Sequence, residues 1–159
     1  MPTAPLIDGS LFDLESVVVT REEIYRSCRQ SGRFALLDGL LRFEPGGDIT
    51  VGFKRLERGD WWAADHIPGR PIFPGVLMVE CAAQLCTYDF MHRRPGLEHA
   101  FLGFAGLDDV RFRGIVEPPA RMLFATKVER LRETMFIYDA QGFVERNLVF
   151  EAKIRGMVV

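Results

Sequence analysis

Two side chains that can move protons near neutral pH, His66 and Glu80, stand fourteen positions apart in the sequence. His66 lies in a segment stiffened by Pro68, Pro71 and Pro74, which can hold its imidazole in one place. Glu80 lies inside a long apolar stretch, where a carboxylate is costly to bury unless it is paired or protonated. Such a pair suits catalysis by a general base and a general acid.

Gly75 follows Pro74 directly, at the start of the same apolar stretch. Proline fits the first turn of a helix, so we expect a helix N-terminus here. Glycine lets a carbonyl oxygen approach its N–H, and the positive end of the helix dipole stabilises an oxygen that becomes negative. A base, an acid and an oxyanion donor together can remove a proton α to a carbonyl and expel a β-hydroxyl.

Gln84 and Thr87 follow Glu80 at i+4 and i+7, so the few polar groups of the predicted helix share one face. A buried polar stripe of this kind is either a satisfied core network or one wall of a site. The helix itself is predicted over residues 76–91, with Pro95 and Gly96 ending it. Because apolar side chains occupy nearly every direction around it, it must be surrounded by protein.

The remaining elements must surround this helix. A capping box at Thr20 and Glu23 predicts a helix that ends near residues 31–32. We expect a β-hairpin from residues 34–43 and 49–56 and an extended loop over residues 61–74. Further strands are predicted over residues 100–104, 110–116, 122–131, 135–140 and 144–154.

These elements predict an α+β fold with a curved, mostly antiparallel sheet wrapped around one long central helix, in a single domain over residues 1–159. A sheet of this kind has exposed edges, so we expect it to pair with a second copy of the chain.

Composition narrows the classes of function. The formal net charge is −2 and the basic residues form no cluster, which argues against nucleic acid as a partner. No apolar run reaches the length of a membrane span. Cys28, Cys81 and Cys86 are an odd number without a CxxC pair, so we expect reduced core thiols in a cytoplasmic protein. No spacing predicts a metal site or a phosphate-binding glycine loop, and no cofactor is expected.

The segment that runs from Asp65 to Gln84 resembles the loop and helix of the (3R)-hydroxyacyl-acyl-carrier-protein dehydratases of fatty-acid synthesis. Their signature resembles H-F-P-G-x-P-x-M-P-G-V-L-x-x-E-A-x-A-Q. The resemblance extends more weakly to residues 34–38, 101–103 and 111–113. The positions that match the signature in register are His66, Pro68, Gly69, Pro71, Pro74, Gly75, Val76, Leu77, Glu80, Ala83 and Gln84.

The resemblance implies a hotdog fold and a lyase that dehydrates a 3-hydroxyacyl thioester carried on acyl carrier protein or coenzyme A. His66 is then the base that takes the α-proton, and Glu80 the acid that assists departure of the hydroxyl. Gly75 N–H is expected to polarise the thioester carbonyl and the carbonyl of Ile72 to hold the imidazole. Gln84 is expected beside them as a hydrogen-bonding residue at the substrate.

The resemblance also implies partners. In the family, the histidine and the glutamate of one site come from different subunits of a homodimer, which is often assembled into a hexamer as a trimer of dimers. Arg111 and Arg113 alternate on a predicted strand and face one way, where they form a solvated face or dock an acidic carrier protein.

Asp65 departs from the signature, because the family usually has glycine before the histidine. A carboxylate beside the imidazole tends to keep it protonated, which is the wrong state for a base. Asp65 therefore keeps one alternative open, a protein of the same fold that binds acyl thioesters without turning them over. A separate alternative on the same fold is a hotdog thioesterase. Thioesterases of this fold usually activate water with a carboxylate, and they lack a loop histidine in the register of His66.

Overall fold

The computed structural model describes residues 3–159, which form one antiparallel sheet and three α-helices. The order of strands across the sheet is β1-β2-β3-β5-β6-β7-β4. The helices are α1 (Arg21–Ser27), α2 (Ala63–His66) and α3 (Gly75–Arg93). The strands are β1 (Val19–Thr20), β2 (Gly39–Arg42), β3 (Ile49–Leu56), β4 (Leu102–Phe112), β5 (Ala120–Leu131), β6 (Met135–Val144) and β7 (Asn147–Val158).

Helix α3 is the centre of the main core. Its side chains are buried on nearly all sides, and they share one apolar cluster with side chains from the inner face of the sheet. The predicted central helix and the sheet wrapped around it are confirmed. Pro74 is the N-cap in extended conformation and Gly75 is the first helical residue, so the helix begins one residue earlier than predicted.

Asp89 fixes the C-terminal half of α3 to the sheet. Its carboxylate is fully buried and accepts hydrogen bonds from the hydroxyls of Thr50 on β3 and Tyr138 on β6. It also pairs with Arg93 one turn later, whose guanidinium donates to the carbonyls of Pro45 and Gly47 in the β2–β3 turn. One buried carboxylate therefore ties the helix to two strands and, through Arg93, to a turn.

The outer face of the sheet carries a second, smaller core under residues 3–14. Ile7 is buried there against apolar side chains of β2, β3, β5 and β6. The carboxamide of Gln141 accepts from Leu6 N–H at 2.7 Å and donates to the Ala4 carbonyl at 3.1 Å, as a neighbouring strand would. Arg121 donates to the Leu14 carbonyl at 2.6 Å.

Two predicted elements are shorter than expected. Helix α1 has the predicted capping box but ends at Ser27, because Cys28 adopts an extended conformation and its thiol lies against the Gln84 carbonyl at 3.9 Å. The strand predicted over residues 34–43 is limited to β2. In residues 34–37, backbone groups form hydrogen bonds with side chains instead. Phe34 O accepts from the Gln84 carboxamide, and Leu36 N–H donates to it.

Other differences concern bulges and turns. The strands predicted over residues 100–104 and 110–116 are one strand, β4, whose two bulges absorb extra residues while it pairs with β7. The hairpin β6–β7 turns at Glu145 and Arg146, which both have positive φ, as a two-residue hairpin turn requires. Part of the loop predicted over residues 61–74 forms the short helix α2.

None of the helices within residues 3–159 has the length and apolarity that crossing a membrane needs.

Replacement of Asp89 tests this anchor. Asp89→Leu should lower the free energy of unfolding in urea by about 3–5 kcal/mol, because Arg93 is then a buried charge without its carboxylate. Asp13→Asn is the matched control, since Asp13 and Arg146 form an exposed pair and its loss should cost less than about 1 kcal/mol. If Asp89→Leu lowers the free energy of unfolding by no more than Asp13→Asn does, Asp89 does not anchor α3.

Candidate active site

Gly75 presents the first N–H of α3, a group that the helix cannot satisfy itself. The N–H groups of Leu77 and Met78, by contrast, both donate to the Pro74 carbonyl, at 3.0 and 3.3 Å. A Cβ atom at position 75 would lie 2.8 Å from the ring of Phe112. The absence of a side chain therefore allows β4 to approach the N-terminus of α3 closely.

His66 is the last residue of α2, and its side chain is exposed. The imidazole Nδ1 lies 2.9 Å from the carbonyl oxygen of Ile72, the contact expected from the resemblance. A carbonyl oxygen only accepts hydrogen bonds, so Nδ1 carries a proton and, in the neutral ring, Nε2 presents a lone pair. The geometry thus leaves Nε2 free to accept a proton.

The loop that carries Ile72 is tied down on both sides. Phe73 N–H donates to the Val116 carbonyl at 2.8 Å, and the Phe73 ring packs edge-on against Trp62 with centroids 5.1 Å apart. Arg70 donates through Nε and a terminal nitrogen to one carboxylate oxygen of Glu117, at 3.1 and 2.9 Å. The imidazole is therefore held by a loop with several independent attachments.

Asp65 lies on α2 beside His66, and its side chain is exposed. Within residues 3–159 its carboxylate forms no ion pair with the imidazole or with any other cation. The expected effect of Asp65 on the protonation of His66 stays a prediction.

Glu80 projects from the second turn of α3 and is half-buried. Burial raises the pKa of its carboxyl group, and a hydrogen bond from Gln84 Nε2 to Glu80 Oε1 at 2.9 Å acts in the opposite direction. Burial is the larger effect, so the carboxyl group keeps its proton to higher pH than an exposed glutamic acid does.

Gln84 is fully buried, and its carboxamide is saturated by the chain itself. Oε1 accepts from Tyr25 O–H at 2.6 Å and from Leu36 N–H at 3.3 Å. Nε2 donates to the Phe34 carbonyl and to Glu80, both at 2.9 Å. These four bonds use the whole capacity of a carboxamide, so the contact to substrate expected for Gln84 has no group left to make it. Within the polar stripe on α3, Glu80 and Gln84 are therefore joined in one hydrogen-bond network, and Thr87 lies beside them at a small cavity.

Tyr25 is a member of this network that the sequence analysis missed. In the sequence, the spacing of Tyr25 with Ile24 and Cys28 predicts only a short apolar face of α1. The ring is indeed half-buried, but its hydroxyl bridges Leu37 N–H and Gln84 Oε1. The available signal was a phenol hydroxyl on a face predicted to be buried, where such a group usually finds a hydrogen-bond partner.

Glu80 and His66 of one chain are not brought together. A small cavity of about 60 Å³ beside Glu80 is also lined by Ala83, Thr87 and Phe104, but His66 does not line it. No hydrogen bond joins the two side chains within residues 3–159. The proposed base and the proposed acid of one chain therefore face different surroundings.

The edge strand β4 is exposed and apolar along much of its length. Phe104, Leu107 and Phe112 are each 44–53% exposed, and Phe101 and Ile115 beyond its ends are more than half exposed. In an 11-residue edge strand, such a surface is a template for pairing with another chain.

Arg111 and Arg113 both lie near Glu151, but only Arg113 binds it. Arg113 lies just after the end of β4, and its guanidinium donates to both carboxylate oxygens of Glu151 at 2.7 and 3.1 Å. This hydrogen bond lowers the pKa of Glu151. Arg111 lies on β4 and is exposed, with no ion pair within residues 3–159. The expectation that both arginines face one way, with a role in docking, stays a prediction, and of the two only Arg111 makes no ion pair within residues 3–159.

The three cysteines are free thiols and all are buried. Within residues 3–159, no group of three or more His, Cys, Asp or Glu side chains lies close enough together to hold a metal ion.

Solved structures share this fold at low sequence identity. A dehydratase heterocomplex, ApeI:P from Xenorhabdus doucetiae, matches with a TM-score of 0.73 and 11% identity over 86% of this chain and 90% of that chain. A mutant thioesterase from Pseudomonas aeruginosa matches with a TM-score of 0.67 and 13% identity over 92% and 98%. These similarities establish the hotdog fold and do not distinguish the two activities.

Sequence comparison is more specific. The 3-hydroxyacyl-acyl-carrier-protein dehydratase FabZ of Campylobacter jejuni is 33% identical over 115 residues, which cover 70% of this chain and 79% of that protein. FabZ of Desulfotalea psychrophila is 30% identical over 122 residues, which cover 76% and 81%. The family described as a FabA-like domain matches residues 30–153, including the loop of His66 and the helix of Glu80. The chain belongs to this FabA-like family.

Proposed function

We propose that the protein dehydrates 3-hydroxyacyl thioesters on acyl carrier protein to trans-2-enoyl thioesters in fatty-acid or related lipid or polyketide synthesis. The observation that carries this proposal is the imidazole of His66, whose Nδ1–H is held by Ile72 O so that Nε2 is free to accept a proton. The similarity to the FabZ dehydratases supports it.

In the first step, Nε2 of His66 takes the α-proton of the thioester, and the electron pair of the broken C–H bond moves onto the thioester oxygen. Gly75 N–H at the N-terminus of α3 stabilises the negative charge that develops there. His66 is then an imidazolium, and the substrate is an enolate.

In the second step, the enolate pair forms the double bond between Cα and Cβ while the bond from Cβ to the hydroxyl oxygen breaks. The Glu80 carboxyl group gives its proton to that oxygen, which leaves as water. The raised pKa of Glu80 favours this role, because an acid must still hold its proton near neutral pH. The net reaction releases one water and leaves His66 protonated and Glu80 ionised, so a proton must return from the base to the acid before the next turnover.

The base and the acid of one site come from two chains in this proposal. His66 and Glu80 of one chain lie in different surroundings, and the apolar edge strand β4 offers a surface on which a second copy can pair. The catalytic unit is therefore a homodimer that contains two sites. A trimer of dimers is a further level of assembly that this argument does not require.

The carrier of the acyl group is an acidic acyl carrier protein rather than coenzyme A in this proposal. Arg111 is the exposed cation on β4 that favours such a partner, whereas the charge of Arg113 is already balanced by Glu151. We place the protein in the cytoplasm, which agrees with its three reduced cysteines.

The tautomer of His66 can be measured directly. Long-range proton–nitrogen NMR of the neutral protein should show the proton on Nδ1 and an unprotonated Nε2, because Ile72 O can only accept a hydrogen bond. Spectra of His66→Gln identify the signals. A neutral ring with its proton on Nε2 would remove the base from the mechanism.

His66→Ala should reduce turnover of the acyl-carrier-protein substrate by about 100-fold or more, which is the scale of losing a general base. Hydration of a crotonyl thioester, followed by the loss of its ultraviolet absorbance, measures the reverse reaction. His99→Ala is the control, since His99 is an exposed histidine away from the motif. Release of free thiol by the unaltered protein would identify a thioesterase, and the absence of any turnover would identify a binding protein.

Subunit mixing tests the shared site. Inactive His66→Ala and Glu80→Ala proteins should regain part of the activity after exchange, because a mixed dimer assembles one site with both groups intact. Mass spectrometry of the mixture verifies that mixed dimers form. If they form without recovering activity, the two residues do not act across the dimer.

A further inference from the structure

We propose that Tyr25, acting through Gln84, is a positioning residue that fixes which oxygen of Glu80 carries the catalytic proton: Oε1 stays an acceptor, and Oε2 faces the leaving hydroxyl. This inference rests on the proposed role of Glu80 as the acid. Its evidence is a chain of hydrogen bonds whose polarity is set by backbone groups.

The chain of hydrogen bonds begins at Leu37. Its backbone N–H can only donate, and it donates to the Tyr25 oxygen at 2.8 Å. The single proton of the Tyr25 hydroxyl is thereby directed onward to Gln84 Oε1 at 2.6 Å. Burial raises the pKa of Tyr25 far above neutrality, so the hydroxyl remains a donor throughout the working pH range.

The orientation of the Gln84 carboxamide follows from its neighbours. Leu36 N–H can only donate, so the atom that it meets at 3.3 Å is Oε1. The Phe34 carbonyl can only accept, so the atom that it meets at 2.9 Å is Nε2. Of the two donors on Oε1, the Tyr25 hydroxyl makes the shorter contact. Because Gln84 is 1% exposed, water has little access to replace that hydroxyl.

The second N–H of Gln84 Nε2 points at Glu80 Oε1, at 2.9 Å. An oxygen that accepts this N–H is a poor place for the proton of the neutral carboxyl group, because the two hydrogens would face each other. The proton therefore resides on Oε2. A Glu80 side chain released from Gln84 can rotate, and the proton then spends part of its time away from the substrate.

Tyr25 lies outside the region that the FabA-like family matches, which begins at residue 30. Its helix α1 is fixed by the capping box of Thr20 and Glu23, and Cys28 at its end contacts the Gln84 carbonyl. An element that precedes the matched domain thus reaches the acid through one intermediate side chain. Nothing in the loop and helix motif identifies this role.

Tyr25→Phe tests the relay without changing the size of the ring. We expect kcat to fall by about 3- to 10-fold, the size of one neutral hydrogen bond, with KM unchanged. Without the hydroxyl, Gln84 stabilises ionised Glu80 less well, so Glu80 loses its proton at higher pH. The alkaline limb of the pH–rate profile should therefore move to higher pH.

Tyr88→Phe is the matched control. Tyr88 is also a largely buried tyrosine, on α3, and within residues 3–159 its hydroxyl makes no hydrogen bond. Its kcat and its pH–rate profile should equal those of the unaltered protein. Circular dichroism compares the folding of the two variants.

A double-variant cycle separates the relay from a general structural effect. Gln84→Met removes the N–H at Glu80 and should move the alkaline limb further upward than Tyr25→Phe does. In the Gln84→Met background, Tyr25→Phe should add no further shift, because Tyr25 acts only through Gln84. An additional shift of the same size in that background would overturn the relay. If Gln84→Met does not fold, Tyr25→Phe and its control decide the matter alone.

Infrared difference spectroscopy reads the Glu80 carboxyl band directly, with Glu80→Gln identifying the band, and it needs no turnover. A titration midpoint that rises in Tyr25→Phe supports the relay, and an unchanged midpoint together with an unchanged pH limb overturns it. A raised midpoint with an unaltered rate keeps the hydrogen-bond relay but removes Glu80 as the acid, which contradicts the proposed function instead.

Discussion

A helix that is buried on nearly all sides leaves its polar side chains no water to bond with, and this constraint governs the structure around α3. Glu80, Gln84 and Asp89 all lie on this helix, so their partners must come from the helix itself and from the elements packed around it. Gln84 is satisfied by α1 and by residues 34–36, and Asp89 by two strands and by Arg93. The same requirement thus fixes α3 to the sheet at Asp89 and builds the hydrogen bonds around Glu80, the proposed acid.

The surroundings of His66 obey a different constraint. Its imidazole is exposed, and its position depends on the loop that carries Ile72. That loop is held by backbone pairing of Phe73 with Val116 and by the ion pair of Arg70 with Glu117. The proposed base is therefore held by an anchored surface loop, and the proposed acid lies in a half-buried hydrogen-bond network.

The sequence predicted best where local chemistry decides the structure. Pro74, Gly75, Pro95 and Gly96 bound an apolar run, so α3 was predictable to within about two residues. The contact of His66 with Ile72 came from the resemblance alone, since no periodicity shows where an imidazole points. Residues 34–37 were predicted as a strand because they are apolar. Their backbone groups bind Gln84 and Tyr25 instead, a long-range pairing that a local pattern cannot contain. The bulges of β4 were equally invisible, and they merge two predicted strands into one.

Residues 3–14 limit the number of surfaces through which copies of the chain can associate. They occupy the outer face of β2, β3, β5 and β6, while α3 occupies the inner face of the sheet. At one edge, β1 has only two residues, too few to template a neighbour. The 11-residue β4 at the other edge is then the main site left for association. An assembly built through a single such edge stops at two copies. Each copy covers the free edge of the other, so no free edge remains to which a fibre could add further copies.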